Sequence, residues 1–251
     1  MRHFLNAVVG FVILFSGVGT ASAAAAAEQC SSLFLVSHWE ISARVQKNKF
    51  VTNRDLFEYG EVLHKDFKDS LQKLSPEQHW IDLGAGKANA QIAYIKSFPH
   101  SQSAAQATAV AYKLDRWFSP PKFDGKLQVK EGAFETQPTH TWKKADLVTD
   151  VFGVVSYTHD LHTSLQKVFD MMNVKGEFYI YASNYHTSVR VSEKTSLSLI
   201  DFLATIDGLR VEGRYGTIKI TKEKENVTVP QLELLKYKDD APPSRSFRVV
   251  P

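Results

Sequence analysis

Residues 81–88, with the sequence IDLGAGKA, constrain the fold of this chain more than any other stretch. A short apolar segment ends at Asp82, and Gly84 and Gly86 follow it directly before an alanine-rich stretch that favours a helix. Glycines at a strand-to-helix turn let a ligand approach the backbone, and the helix N-terminus favours a negatively charged ligand group. The segment therefore predicts an α/β unit with a ligand cradle at its first turn.

Two classes of ligand are bound by turns of this kind. The dinucleotide motif Gly-x-Gly-x-x-Gly requires a third glycine where this chain has Asn89. Residues 82–88 instead resemble the first motif of class I S-adenosylmethionine (SAM)-dependent methyltransferases, Asp-x-Gly-x-Gly-x-Gly/Ala, with Ala88 at the last position. The resemblance implies that Asp82, Gly84 and Gly86 bind SAM.

Two later segments extend the resemblance in the family's order. Residues 144–150, KADLVTD, resemble the fourth-strand motif, which implies that Asp150 lies beside the methionine part of SAM and the acceptor. Residues 171–180, MMNVKGEFYI, resemble the family's helix-turn-strand segment, with Val174 in place of proline and Glu177 in place of the second glycine. The resemblance therefore covers residues 77–238.

Alternating strand and helix patterns follow the glycine-rich turn, which indicates a largely parallel sheet. Strands are predicted at 107–112, 126–130, 146–151 and 177–181, and helices at 55–74 (capped by Thr52 or Asn53), 161–172 and 196–207. Residues 209–221 and 227–237 are strand-like on either side of the charged stretch 222–226, which suits a long hairpin at the sheet edge. The predicted fold is a three-layer, Rossmann-like methyltransferase fold with a mostly parallel sheet and a C-terminal antiparallel hairpin.

The start of the chain has the pattern of an export signal. Arg2 precedes an uncharged apolar run, and residues 21–23 resemble a signal-peptidase site. We therefore expect residues 1–23 to be a signal peptide that exports the protein to the periplasm or the exterior; the alternative is a retained membrane anchor. The remainder divides into a helical segment (31–75), a SAM-methyltransferase-like domain (76–240) and a C-terminal tail (241–251).

The chain departs from the family at two cofactor positions. Tyr112 stands where the family has an acid for the ribose hydroxyls, and the first acid after it is Asp115, so either Asp115 binds the ribose or no acid does. The family's Gly-Asp after the third strand is Gly-Ala here, followed by Phe134 and Glu135. Glu135 is the candidate for the adenine amino group, and Phe134 either covers the adenine or belongs to the core.

Several polar residues after the fourth strand are candidates for the acceptor site: Asp150, Ser156, Tyr157, His159 and Asp160. His159 is the candidate catalytic base, beside Asp150, because an imidazole titrates near neutrality; the alternative is a solvent-facing histidine. His159 and His162 have the spacing of a metal pair, but no third ligand accompanies them, so no metal is expected. Residues 184–186 are candidates for the acceptor pocket or for a polar loop.

Composition and missing motifs exclude other functions. With 30 basic and 27 acidic residues the formal charge is only +3, and no basic stripe is present, so nucleic-acid binding is not expected. The chain has no Gly-x-Ser-x-Gly elbow and no phosphate-binding loop, and Cys30 alone cannot form an intrachain disulfide.

The predicted function is SAM-dependent methyl transfer to an unidentified acceptor, which is a small molecule, a lipid or a protein. The alternatives are an exported, non-catalytic binding protein and a nicotinamide-dependent oxidoreductase. Membrane contact is expected only if the N-terminal segment is retained.

Overall fold

A computed structural model describes residues 54–114, 117–182, 186–214, 216–238 and 244–250. The predicted signal peptide and Cys30 lie outside the described residues, as do Asp115, Asn184 and Tyr185. Within the described ranges, no helix has the length and apolar character needed to cross a bilayer.

The described residues form strands and helices that alternate over most of their length. The strands are β1 (His79–Leu83), β2 (Gln106–Ala111), β3 (Leu127–Glu131), β4 (Ala145–Val151), β5 (Met172–Tyr181), β6 (Thr187–Arg190), β7 (Ser196–Ser198), β8 (Leu209–Arg214), β9 (Thr217–Lys222), β10 (Leu232–Lys238) and β11 (Ser244–Val249). The helices are α1 (Leu56–Val62), α2 (Phe67–Gln72), α3 (Asn89–Lys96), α4 (Val154–Tyr157), α5 (Leu161–Met171) and α6 (Leu199–Ala204), and three short 3₁₀ helices lie at Ser101–Ser103, Phe134–Thr136 and Thr139–Thr141.

The larger sheet has seven strands in the order β3-β2-β1-β4-β5-β9-β8. Strands β1 to β5 pair in parallel, whereas β9 is antiparallel to both β5 and β8. One hydrophobic cluster joins one face of the sheet to α5 and α6, and a second joins the other face to α1, α2 and α3. This confirms the predicted three-layer α/β fold with a mostly parallel sheet and a C-terminal antiparallel hairpin.

The predicted position of the hairpin turn is wrong. The turn lies between β8 and β9, where Gly216 has a φ of 90°, and not in the charged stretch 222–226; Gly213, with a φ of 133°, lies near the end of β8. Lys222 belongs to the interior of the fold instead, because its Nζ donates to the carbonyl oxygens of Phe169 (2.6 Å) and Met172 (2.9 Å). The charged stretch 222–226, which suggested a turn, therefore begins with a lysine that is buried.

The C-terminal residues, expected to be a tail, form part of a second sheet. This sheet has the order β10-β11-β6-β7, and β11 lies between the antiparallel β10 and the parallel β6. Arg245 and Phe247 alternate along β11 and are buried, and Phe247 joins the main hydrophobic cluster. This period of two explains why the segment pairs as a strand.

The predicted helix over 55–74 is two helices, α1 and α2. Helix α1 is capped by Asp55, whose side chain and that of Glu58 form a capping box, so Thr52 and Asn53 are not its cap. The predicted helix over 196–207 is likewise shorter, because β7 occupies its start and Ser198 caps α6. Helix α1 places Arg54 and Tyr59 beside the ends of β1 and β4.

Candidate active site

A cavity of about 750 Å³ opens at the carboxyl ends of β1, β2, β3 and β4. This is the edge of an open α/β sheet where ligands bind, and the volume lies in the range of small-molecule sites. Residues at or after the ends of the four strands, together with Arg54 from the segment before α1, line it: Arg54, Gly84, Gly86, Val110, Ala111, Tyr112, Lys113, Gly132, Ala133, Phe134, Glu135, Phe152, Gly153, Val154, Tyr157, Thr158, His159 and Asp160.

The turns after β1 and β4 are in backbone contact through two glycines. Gly84 has a φ of 89°, and a Cβ atom there would lie 2.5 Å from the Cα of Gly153. A Cβ atom on Gly153 would lie 2.0 Å from the carbonyl oxygen of Leu83. Neither position has room for a side chain, so both glycines are needed to bring these turns together.

The first turn then leads directly into α3. Gly86 and Ala88 both have positive φ angles, 54° and 55°, and Ala88 is the N-cap of α3 without a side-chain hydrogen bond. A left-handed alanine is strained, and such strain concentrates at ligand sites. The cradle therefore has the open backbone and the helix N-terminus that the amino-acid part of SAM requires, and the residues present fit that ligand.

Asp82 lies beneath the cavity and is not among its lining residues. Its carboxylate accepts hydrogen bonds from Tyr59 Oη (2.7 Å), Gln91 Nε2 (2.6 Å) and Thr149 Oγ1 (2.7 Å). It thus ties α1, α3 and β4 to β1. Burial raises the pKa of this carboxyl to about 6, in spite of the three donors. Direct contact between Asp82 and SAM stays a prediction.

Because the pKa of Asp82 is raised, we expect its ionisation to lower the stability of the folded protein as the pH rises, and we expect Asp82→Asn to remove this loss. Between the ordinary pKa of 3.8 and about 6, the folded protein retains a proton that the unfolded chain has lost, so this group's contribution to stability falls as the pH rises. Two pKa units correspond to about 3 kcal/mol. Gln91 Oε1 has no hydrogen-bond partner among the described residues, so a flipped Gln91 amide can accept from the new asparagine.

The measurement is the free energy of unfolding in urea at pH 4 and pH 7.5 for both proteins. We expect Asp82→Asn to gain about 3 kcal/mol relative to wild type between these values. A difference between the two proteins that does not change with pH would contradict the assignment.

Asp150 and Arg245 hold the segment after β4 from two sides. Asp150 is buried, and its two oxygens accept from the backbone N–H groups of Gly153 and Val155, each at 2.8 Å. Arg245 on β11 donates to the carbonyl oxygens of Thr158 (2.8 Å) and Val155 (2.5 Å). Burial raises the pKa of Asp150 to about 7 and lowers that of Arg245 to about 10. Asp150 therefore shapes the turn that lines the cavity, and its predicted contacts with ligand or substrate stay predictions.

His159 lies at the rim of the cavity, where it is exposed and packs edge-on against the ring of Tyr237 at 4.4 Å. Its neighbour Tyr157 also lines the cavity, and burial raises the pKa of this phenol. The ring of His162 is engaged elsewhere, with Pro230 O (3.0 Å) and Gln231 Nε2 (2.8 Å). Over the described ranges, no group of three or more acidic, histidine or cysteine side chains is arranged to hold a metal ion.

The other end of the cavity contains Tyr112, Phe134 and Glu135. The side chain of Tyr112 is 80% exposed at the end of β2. Phe134 is both core and cavity wall, because it is buried against Trp142 (6.4 Å between ring centroids) and also lines the cavity. Glu135 accepts hydrogen bonds from Ser164 Oγ (3.0 Å) and from Thr158. Its carboxylate thereby links the turn after β3 to the segment after β4.

The structure thus gathers six candidate site residues around one cavity: Gly84, Gly86, Glu135, Tyr157, His159 and Asp160. His186, from the candidate loop 184–186, instead bonds Ser244 Oγ at 2.8 Å between β6 and β11. Arg54, Gly153 and Arg245 were missed by sequence reasoning. The sequence signal that could have identified Gly153 is its position just after the fourth strand, which matches that of the glycines after the first strand. No local pattern marks the two arginines.

No protein-family model and no curated protein sequence matches this chain. Among solved structures, SAM-bound CalS10, an amino pentose methyltransferase from Micromonospora echinaspora, is similar over 59% of this chain and 56% of its own, with 12% identity and a TM-score of 0.37. This chain therefore spans little more than half the length of that enzyme.

Two other solved structures are similar over more of their own length. A putative rRNA-methylase from Clostridium thermocellum is similar over 63% of this chain and 94% of its own, with 11% identity and a TM-score of 0.42. The 1,6-didemethyltoxoflavin-N1-methyltransferase of Burkholderia thailandensis, solved with S-adenosylhomocysteine, is similar over 80% and 89%, with 14% identity and a TM-score of 0.38. These three solved structures are methyltransferases, two of them with SAM or S-adenosylhomocysteine bound, and at these identities the similarity concerns the fold alone.

Proposed function

We propose that this chain is a SAM-dependent methyltransferase, with the cofactor across the ends of β1, β2 and β3 and the acceptor beside the end of β4. The observation that carries the proposal is the cavity itself, which joins the Gly84–Gly86 turn to the segment after β4 in one continuous space. Phe152 and Tyr157, which follow β4, line the same cavity as the glycine turn.

The chemistry of methyl transfer suits the residues of this cavity. SAM supplies a methyl group on a cationic sulfur. Because an acceptor must attack the methyl carbon in line with its bond to that sulfur, the protein's main task is to align the acceptor with the cofactor. The glycine turn and the α3 N-terminus hold the cofactor, and the segment after β4 positions the acceptor. His159, at the rim, is the group proposed to take a proton from acceptors that must lose one.

The proposal is tested by calorimetric titration of the full chain with SAM, S-adenosylhomocysteine and NAD. We expect the first two to bind with micromolar dissociation constants and NAD to bind far more weakly, because Asn89 replaces the third glycine of the dinucleotide motif. Absence of SAM binding at millimolar concentration would refute the proposal.

A second candidate is a non-catalytic protein that uses the same cavity for binding alone. Tyr112, in place of the ribose acid, favours it. Transfer of labelled methyl groups from SAM to components of a cell extract would exclude this candidate. Export through residues 1–23 remains part of either proposal, and it requires that the ligand reach the protein outside the cytosol.

A further inference from the structure

Arg54 lies at the end of the cavity where β4 ends. Its Nη1 donates to the carbonyl oxygen of Val151 at 2.9 Å, and its Cζ lies 5.5 Å from the centroid of the Phe152 ring. The hydrogen bond and the ring hold the guanidinium in one orientation, because a cation is attracted to the face of an aromatic ring. The side chain is thus ordered in advance at the cavity wall.

Among the residues that the structure describes, the guanidinium of Arg54 has no carboxylate in contact with it. A guanidinium has five N–H donors, and the bond to Val151 uses one of them. Of the carboxylates in the described ranges, none forms a salt bridge with Arg54. The charge of Arg54 favours the ionised form of Asp82 beneath the cavity, but the Asp82 oxygens accept their hydrogen bonds from three other side chains.

The carboxylates that line the cavity are also engaged with their own surroundings. Glu135 accepts from Ser164 and Thr158, and Asp160 caps α5 by accepting from the backbone N–H of Thr163 at 2.9 Å. Over its described lining residues, the cavity therefore presents a guanidinium with N–H donors left for a ligand and no carboxylate without a partner. The planar guanidinium matches the geometry of a carboxylate, which it can bind with two parallel hydrogen bonds.

We propose that Arg54 binds a ligand carboxylate at the methyl-transfer end of the cavity. The inference rests on the proposed function, and the carboxylate belongs either to the methionine part of the cofactor or to the acceptor. Arg54 lies at the end of β4, in the part of the cavity that Phe152 and Tyr157 also line. Arg54 is then a binding residue supplied by the segment before α1.

The first arm of the test compares two cofactor analogues. S-Adenosylhomocysteine carries the carboxylate, whereas 5′-methylthioadenosine lacks the whole amino-acid portion. If Arg54 binds the cofactor carboxylate, Arg54→Gln should weaken S-adenosylhomocysteine about 10- to 100-fold and leave methylthioadenosine unchanged. Arg54→Lys should recover part of the loss, because it keeps the charge without the fork. Arg190→Gln, at an exposed arginine of β6, is the control.

The second arm tests the acceptor as the source of the carboxylate. Protein saturated with S-adenosylhomocysteine is titrated with benzoate and with the uncharged benzamide. If Arg54 binds the acceptor, wild type should prefer benzoate about tenfold or more, and Arg54→Gln should lose that preference while its affinity for S-adenosylhomocysteine is unchanged.

The remaining outcomes overturn the inference and are separate from a failure of the proposed function. Equal affinities of wild type and Arg54→Gln for S-adenosylhomocysteine and for benzoate would overturn it. A parallel loss of S-adenosylhomocysteine and methylthioadenosine would do the same, because it would show a general disturbance of the cavity. Failure of wild type to bind S-adenosylhomocysteine would instead refute the proposed function.

Discussion

Gly84→Ala is expected to destabilise the protein by about 2–5 kcal/mol and to abolish SAM binding. The new Cβ would lie 2.5 Å from the Cα of Gly153, and the φ of 89° adds the strain of a left-handed alanine. Because the obstructing atoms belong to the backbone, relief requires the turns after β1 and β4 to separate, and both turns line the cavity. Urea unfolding and a SAM titration measure the two effects.

Gly125→Ala is the matched control for this variant. Gly125 also has a positive φ, 79°, but a Cβ atom there meets nothing within 4 Å. It should lose only the strain of the left-handed conformation, about 1–2 kcal/mol, and should bind SAM as wild type does. Equal losses of stability and of SAM affinity in the two variants would show that the contact between the glycines has no part in the cavity.

Arg245→Met is expected to lower the free energy of unfolding by about 3–5 kcal/mol. It removes the hydrogen bonds to the carbonyl oxygens of Val155 and Thr158 and to Thr187 Oγ1 (2.7 Å), and it leaves these groups buried without the donor. It also removes the positive charge that favours the ionised form of buried Asp150. Loss of these hydrogen bonds should make the segment that carries Tyr157 and His159 less ordered. Because both residues line the cavity, SAM affinity should fall as well.

Arg248→Met provides the comparison on the same strand. Arg248 is exposed and pairs with Glu233 across the β10–β11 ladder, at 2.6 Å from Nη2. An exposed ion pair contributes about 1 kcal/mol or less, so this variant should unfold close to wild type. An Arg245→Met protein within about 1 kcal/mol of Arg248→Met would contradict the role assigned to the buried arginine.

Local patterns in the sequence predicted most of the larger sheet. The apolar runs and the glycine turn located β1, β2, β4 and the helix α5 to within a residue or two, because strand and helix periodicities are local properties. The second sheet was missed, because β11 joins it by pairing with β6, which lies far away in the chain: Arg245 meets Thr187 across 58 residues. The buried Lys222 shows the same limit, because its charge suggested a turn while its partners lie on α5 and β5.

For the site, the sequence by itself determined the glycine cradle and the strand ends around it, because the turn after β1 requires positive φ angles at Gly84 and Gly86, and glycine adopts these most easily. Only the tertiary structure decided which polar groups reach the cavity and which support it from beneath. Arg54 meets Val151 across 97 residues, and Arg245 meets Val155 across 90. No local pattern encodes such contacts, because they form only when packing of the sheet and helices brings distant segments together at one edge.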